Sequence, residues 1–231
     1  MTPPRPAPTT AVLFDFDGTL ADTVDLIVAS YEYALTAPGA VASQVFPHAS
    51  LPPATTIRSW IGRPLRETLE DVRPGEGDAL VERYREHNLD AHDRLIRRVE
   101  GTAGLVRDLV DAGVPVGVVS SKRAGLVRRG MSATGIPDLE VVVGLEETTR
   151  HKPHPEPLLE GARRLGVEAA SCAYVGDAVV DVQAAVAAGM RPVAVTWGAG
   201  TAADLRAAGP DRLVDDVPAL RHALGLPPGR A

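Results

Sequence analysis

The chain has 231 residues, of which 45% are hydrophobic and 23% charged, a composition typical of a globular protein with a sizeable core. Its formal net charge of −6 disfavours a general nucleic-acid binder, and its single cysteine excludes an internal disulfide. No apolar run approaches the roughly 20 residues of a membrane span. We therefore expect a cytoplasmic protein without nucleic-acid or membrane partners.

The first predicted elements are a tail and a buried strand. Residues 1–10 are rich in proline and threonine, lack the apolar stretch of a signal peptide, and are predicted to be disordered. The stretch "TAVLFDFDG" then runs through four consecutive apolar residues into Asp15, Asp17 and Gly18. A buried strand that ends in two carboxylates needs a reason, because burial of an unpaired charge is costly.

Residues 22–94 are predicted to form a helical cap subdomain. Three segments there have helical spacing, namely "DTVDLIVASYEYAL", "GRPLRETLEDV" and "EGDALVERYREHNLDAH". Prolines near 38–53 predict a loop within the subdomain. Residues 11–21 and 95–231 then form one core domain that the cap interrupts.

From about Val99 onward, short apolar strands alternate with segments of helical spacing. The predicted strands are "VPVGVVS", "LEVVVG", "SCAYVG" and "RPVAVTWG". This alternation is typical of a parallel sheet covered by helices on both faces. The predicted fold class is therefore α/β, with a Rossmann-like parallel-sheet core and an inserted helical cap.

Polar residues follow several of these strands. Open α/β sheets bind ligands at the carboxyl ends of their strands, so side chains placed there should converge. A cluster of acids without histidine or cysteine favours Mg²⁺ over zinc, and lysine and serine beside such a cation can clamp a phosphate. The residues at these ends are Asp15, Asp17, Ser120, Ser121, Lys122, Lys152, Asp177 and Asp181.

Lysine is rare in this chain. Only two of the 24 basic residues are lysines, Lys122 and Lys152. Lysine is a compact point charge and arginine a planar fork, so a lysine retained in an arginine-rich chain suggests a tight site.

Four segments resemble, in order, the four motifs of the haloacid dehalogenase superfamily of phosphohydrolases. "DFDGTLADT" is similar to the first motif, "VGVVSSK" to the second, "HKPHPEP" to the third and "VGDAVVDVQAAVAAG" to the fourth. The resemblance covers nearly the whole chain after the tail. The stretch "VTWGAGTAADLRAAGPDRLV" looks most like the phosphoglycolate phosphatase and pyrophosphatase branch.

The resemblance implies catalytic roles for three residues. Asp15 would be the nucleophile that forms an aspartyl-phosphate, and Asp17 the general acid and then the general base. Lys152 would neutralise the nucleophile and the phosphate. The cofactor would be Mg²⁺, held by Asp15, Asp17 (through its main-chain carbonyl), Asp177 and Asp181.

The resemblance also implies substrate contacts. Ser120 would bond a phosphoryl oxygen, Ser121 lies beside it, and the Gly18 amide would help to hold the phosphate. In the cap, Arg63 or Arg66 could bind a second anionic group, the alternative being a solvated helix start.

Several residues have plainer alternatives. Asp177 could be a helix N-cap, and Ala178 stands where relatives often carry serine or threonine, which could weaken metal binding. His151 and His154 are expected to pack in their loop, and Cys172 to be inert core.

The leading hypothesis is a Mg²⁺-dependent phosphatase acting on a small, phosphoglycolate-like metabolite as a monomer or homodimer. Alternatives within the family are an inorganic pyrophosphatase, a nucleotidase and a β-phosphoglucomutase-type phosphotransferase. Outside enzymes, a non-catalytic phosphate-binding regulatory protein is the remaining alternative.

Overall fold

The structure is a computed structural model that describes residues 10–36 and 51–226. The predicted tail before Thr10 and most of the predicted proline loop near 38–53 lie outside the described residues. Within the part described, no helix is long and apolar enough to cross a membrane.

Ten α-helices, two short 3-10 helices and eight strands are present in the described ranges. The strands are β1 (Ala11–Phe14), β2 (Ala21–Asp22), β3 (Arg97–Arg98), β4 (Val116–Val119), β5 (Val141–Val143), β6 (Cys172–Gly176), β7 (Arg191–Val195) and β8 (Arg212–Val214). The helices are α1 (Val24–Leu35), α2 (Ala54–Arg58), α3 (Leu65–Val72), α4 (Gly77–Leu95), α5 (Thr102–Asp111), α6 (Ala124–Thr134), α7 (Glu156–Leu165), α8 (Val179–Ala187), α9 (Ala202–Ala207) and α10 (Val217–Ala223).

Six of the strands form a parallel sheet in the order β5-β4-β1-β6-β7-β8. Every residue of β1, β4, β5 and β6 is buried, which explains why these strands are continuous apolar runs rather than alternating ones. The predicted α/β class and its parallel-sheet core are confirmed.

The sheet has a hydrophobic core on each face. Val12 and Phe14 of β1 join the larger core, whereas Ala11 and Leu13 join the core on the opposite face. Because side chains alternate along a strand, a single apolar run supplies both cores. The central strand β1 is therefore fixed from both sides, and its carboxyl end is held firmly in place.

Helices α1–α4, here called the helical segment, have a hydrophobic cluster of their own. Tyr31 lies at its centre, with ring centroids 5.3 Å from Trp60 and 4.9 Å from Tyr84. The chain enters the segment through β2 and leaves it through β3, and these two strands pair antiparallel. Cap boundaries at 22 and 94 stay a prediction, although the segment has the helical character expected.

Five short elements escape the sequence analysis: α2, β2, β3, β8 and α10. Strand β8 has only three residues, of which one is buried, so it gives no apolar run. Helix α10 begins at an N-cap, Asp216, whose carboxylate accepts a hydrogen bond from the Ala219 N–H at 2.7 Å. Elements this short carry too few buried residues to show a period.

Two glycines on α6 should respond oppositely to replacement by alanine. A Cβ at Gly130 would lie 2.5 Å from the buried ring of Phe16, so Gly130→Ala should cost about 1–3 kcal/mol through overpacking. A Cβ at Gly125 would meet nothing within 4 Å, so Gly125→Ala should stabilise the helix by up to about 1 kcal/mol. Urea denaturation of both variants tests the difference, and equal midpoints would contradict this packing.

Candidate active site

The two aspartates after β1 face different partners. The Asp15 N–H donates to the Val175 carbonyl at 2.8 Å, which continues the sheet, and the Asp15 side chain is buried. The Asp17 carboxylate instead accepts hydrogen bonds from Thr23 Oγ1 at 2.6 Å and from Lys122 Nζ at 2.5 Å. The two acids are therefore held apart, although one residue separates them.

Lys152 is the central cation of the site. Its ammonium donates to Asp15 Oδ1 at 2.9 Å, to Asp181 Oδ1 at 2.6 Å and to the Tyr174 hydroxyl at 3.1 Å. Burial of this side chain opposes its charge, but the carboxylates of Asp15 and Asp181 outweigh that effect and raise the pKa of Lys152 well above its usual range. The lysine therefore remains an ammonium at neutral pH.

Tyr174 is a site residue that the sequence analysis missed. It is fully buried in β6, and its hydroxyl donates to the Val119 carbonyl at 3.0 Å while accepting from Lys152. The sequence does contain a signal for it. Tyr174 stands in a predicted buried strand of otherwise small apolar residues, and a buried tyrosine hydroxyl usually needs a hydrogen-bond partner.

Three buried carboxylates cluster beside the ammonium, which contacts two of them. Asp15, Asp177 and Asp181 each offer an oxygen within 4.8 Å of the others. Burial, with the nearby charges of Asp181 and Asp15, raises the pKa of Asp177 well above its usual range. Burial raises the pKa of Asp15 to about 7, with Lys152 opposing and the Asp181 and Asp17 charges adding to the rise.

This donor set suits a hard divalent cation. One ammonium cannot balance three clustered carboxylates, and oxygen-only ligands favour Mg²⁺ over zinc. Three of the four predicted ligands, Asp15, Asp177 and Asp181, supply clustered side chains. The fourth, Asp17, turns its carboxylate to Lys122, and a metal contact through its main-chain carbonyl stays a prediction.

The alternative role for Asp177 as a helix cap is wrong. The N-cap of α8 is Ala178, and the Asp181 carboxylate accepts the Ala178 N–H at 3.0 Å. Asp177 instead accepts the Ala199 N–H at 2.6 Å. Asp181 thus stabilises the start of the helix and also contacts Lys152.

The predicted phosphate contacts are only partly in place. Ser120 is buried and its Oγ accepts the Lys122 N–H at 3.1 Å, whereas Ser121 is exposed and lines a cavity. The Gly18 N–H donates to the Ala21 carbonyl at 2.8 Å, so the expected contact from this amide to phosphate has no support here. Glycine is needed at this position because its φ is +72° and a Cβ would overlap the Asp177 carboxylate.

A cavity of about 620 Å³ lies between the carboxylate cluster and the helical segment. Asp15, Asp17 and Lys152 line it from the sheet side. Arg63 and Arg66 line it from the helical segment.

Both of these arginines already have acidic partners. Arg63 Nη2 donates to Asp71 Oδ2 at 2.9 Å, and Arg66 Nε donates to Asp78 Oδ1 at 2.7 Å. A second anionic group on a substrate would therefore have to compete with these carboxylates.

Cys172 and His154 match their plainer expectations, whereas His151 lies at the cavity. His154 Nδ1 accepts the N–H of Glu156 at 3.1 Å within its own loop, and His151 lines the cavity without belonging to the carboxylate cluster. Cys172 is buried, and burial raises the pKa of its thiol to about 11.

Comparison with known proteins gives one family. A model described as haloacid dehalogenase-like hydrolase matches residues 12–195. Pyrophosphatase PpaX of Bacillus velezensis is 34% identical over 220 residues, which cover 94% of this chain and 97% of that protein. Pyrophosphatase PpaX of Bacillus pumilus is 33% identical over 189 residues, which cover 80% of this chain and 82% of that protein.

Solved structures agree with the fold. A crystal structure described as a haloacid dehalogenase-like hydrolase, from Bacteroides fragilis, has a TM-score of 0.81 and 27% identity, covering 91% of this chain and 99% of that one. A structure described as a phosphoglycolate phosphatase, from Lactobacillus delbrueckii subsp. bulgaricus, has a TM-score of 0.79 and 24% identity, covering 94% and 98%. At 24% identity the second likeness concerns the fold alone.

Magnesium should stabilise the folded chain through this cluster. At a Mg²⁺ concentration about 100-fold above the dissociation constant, the melting temperature should rise by roughly 5–10 °C. Asp177→Asn should lose most of this rise because it removes a clustered carboxylate. Asp138→Asn, an exposed acid paired with Arg128, is the matched control and should keep it. An equal rise in both variants, measured by thermal melts with Mg²⁺ and with chelator, would contradict the site.

Proposed function

Because the chain belongs to the haloacid dehalogenase-like hydrolase family, we propose that it is a Mg²⁺-dependent phosphatase that hydrolyses a small phosphorylated metabolite through an aspartyl-phosphate on Asp15. One observation carries this proposal. Asp15 is buried, faces the cavity, pairs with Lys152, and shares a cluster with two further carboxylates. A carboxylate in such a setting suits covalent catalysis.

In the first step, Asp15 attacks phosphorus. Lys152 binds Asp15 Oδ1, so the second carboxylate oxygen is the one available for attack. A bond forms between that oxygen and phosphorus while the bond from phosphorus to the leaving oxygen breaks. Lys152 offsets negative charge on Asp15 and on the incoming phosphate, which lowers their mutual repulsion.

Asp17 moves the protons. In its protonated form it gives a proton to the leaving oxygen, and it then takes a proton from the water that attacks the aspartyl-phosphate. Phosphate leaves, the Asp15 carboxylate is restored, and Asp17 holds a proton again. Thr23 and Lys122 both bind Asp17 Oδ1, which directs the other oxygen of the carboxyl group to this task.

Asp15, Asp177, Asp181 and the Asp17 carbonyl would hold the Mg²⁺ ion. When bound, the cation supplies charge neutralisation for the phosphoryl group. The Ser120 hydroxyl and Ser121 add hydrogen-bonding capacity at the end of β4.

Inorganic pyrophosphate is the second candidate substrate. The observation that favours it is the pair of relatives named pyrophosphatase, at 34% and 33% identity. The same residues would act, with phosphate in place of an alcohol as the leaving group. The mutase and nucleotidase alternatives stay predictions, as does the choice between monomer and homodimer. The family match and the relatives named pyrophosphatase argue against the non-catalytic alternative.

Replacement of the two aspartates should separate their roles. Asp15→Asn should reduce phosphate release to background, because no nucleophile remains. Asp17→Asn should lower the rate by about 10²–10⁴-fold, because proton transfer is lost. Phosphate release is measured with Mg²⁺ and with chelator on phosphoglycolate, pyrophosphate, nucleoside monophosphates and sugar phosphates.

The control is again Asp138→Asn, which should retain the full rate. Radiolabelled phosphate transferred from substrate to the protein, and absent in Asp15→Asn, would support the covalent step. Undiminished phosphate release by Asp15→Asn would overturn the mechanism.

A further inference from the structure

The cavity beside the carboxylate cluster has two unlike sides. Its sheet side carries the carboxylates and Lys152, whereas the opposite wall, built by the helical segment, is largely apolar. We call this second side the apolar wall; it consists of Ile27, Tyr31, Trp60, Ile61, Val81 and Tyr84. The ring of Tyr31 contacts the rings of both Trp60 and Tyr84.

The cations of the helical segment do little to change this character. Three arginines line the cavity there, and each one pairs with an acid of the same segment. These pairs are Arg63 with Asp71, Arg66 with Asp78, and Arg85 with Glu82. A second anion on the substrate would have to displace a carboxylate that is already bound.

Arg123 is the exception among the cavity-lining cations. The described residues give it no acidic partner, and it follows Ser121 and Lys122 directly, on the core side of the cavity. Its charge therefore adds to the side where the phosphate is expected, not to the apolar wall.

The size of the cavity also favours a substrate larger than a small anion. At about 620 Å³ it falls within the range of roughly 300–1,000 Å³ typical of pockets that enclose drug-sized ligands. Ile27, Tyr31, Trp60 and Val81 are buried behind the surface of this wall, whereas Ile61 and Tyr84 are only partly buried. Pyrophosphate or phosphoglycolate would fill the polar side and leave the exposed parts of Ile61 and Tyr84 in contact with water. A substrate with an apolar group would cover that wall, which is favourable.

We infer that the preferred substrate is a phosphomonoester whose leaving alcohol carries a flat apolar group, such as an aromatic ring, that packs against the apolar wall. The inference rests on the proposed phosphatase activity and names its substrate class. Hydrolysis is balanced as before: water and the phosphomonoester give the apolar alcohol and inorganic phosphate. The substrate preference would then differ from that of the relatives named pyrophosphatase.

A matched pair of substrates tests the inference. Ethyl phosphate and 2-phenylethyl phosphate are both esters of unactivated primary alcohols and differ chiefly in the ring. We expect kcat/KM to be at least about tenfold higher for the phenylethyl compound, because buried apolar groups commonly discriminate by that much. We also expect kcat/KM for 2-phenylethyl phosphate to exceed kcat/KM for phosphoglycolate and for pyrophosphate.

Variants of the apolar wall locate the effect. Tyr84→Ser and Ile61→Asn should each lower the ratio of kcat/KM between the phenylethyl and ethyl compounds, since both residues are only partly buried and line the cavity. Val110→Ser alters an exposed apolar residue of α5, so its ratio should equal that of the natural chain. Thermal melts identify any variant that fails to fold. If one of the two wall variants fails, the other is used to measure the change in the ratio.

The outcomes separate the two proposals. Equal kcat/KM for the two esters, or preference for pyrophosphate or phosphoglycolate, overturns the substrate class and leaves the phosphatase function standing. If Val110→Ser lowers the ratio of kcat/KM between the two esters as much as the wall variants do, the ring does not bind at the apolar wall. No hydrolysis of any compound, with Mg²⁺ present, overturns both proposals together.

Discussion

The buried ammonium of Lys152 is the interaction on which this site depends. It contacts Asp15 at the end of β1, Asp181 in α8 and the Tyr174 hydroxyl in β6, so one charge joins three separate parts of the chain. Removal of one partner from a buried ion pair typically costs about 3–5 kcal/mol, because the other charge remains uncompensated. Burial beside a single ammonium raises the pKa of Asp15 and of Asp177, and a bound divalent cation would favour their charged forms.

The sheet provides the setting for that contact. Two apolar cores hold β1 from both faces, which places Asp15 at a rigid strand end rather than on a mobile loop. Parallel strands bring their carboxyl ends to one edge, so residues more than a hundred positions apart in the chain become neighbours. Asp15 and Lys152, for example, are separated by 137 positions and lie 2.9 Å apart. Covering both faces of the sheet is therefore what makes the chemistry at its edge possible.

The sequence predicted most of this arrangement and missed particular parts of it. Continuous apolar runs identify β1, β4, β5 and β6, and the acids that follow β1 and β6 indicate the site edge. Pairings between side chains carry no such local signal. Two examples are the contact between Lys122 and Asp17 and the contact between Arg63 and Asp71. Both depend on how helices and loops pack. The sequence predicts that the Gly18 amide faces a ligand, but the tight turn directs it to the Ala21 carbonyl at the start of β2.

The paired strands β2 and β3 have a consequence for how such a protein can change. Because Ala21 lies opposite Arg98, the two ends of the helical segment are neighbours, although 77 positions separate them in the chain. A segment whose ends meet can be lengthened, shortened or exchanged without rerouting any strand of the sheet. The apolar wall belongs to that segment, whereas Lys152 and the carboxylate cluster belong to the sheet domain. Descendants of this chain could thus acquire a new substrate pocket by exchange of that segment at its two neighbouring ends, while the residues that cleave the phosphate ester pass on unaltered.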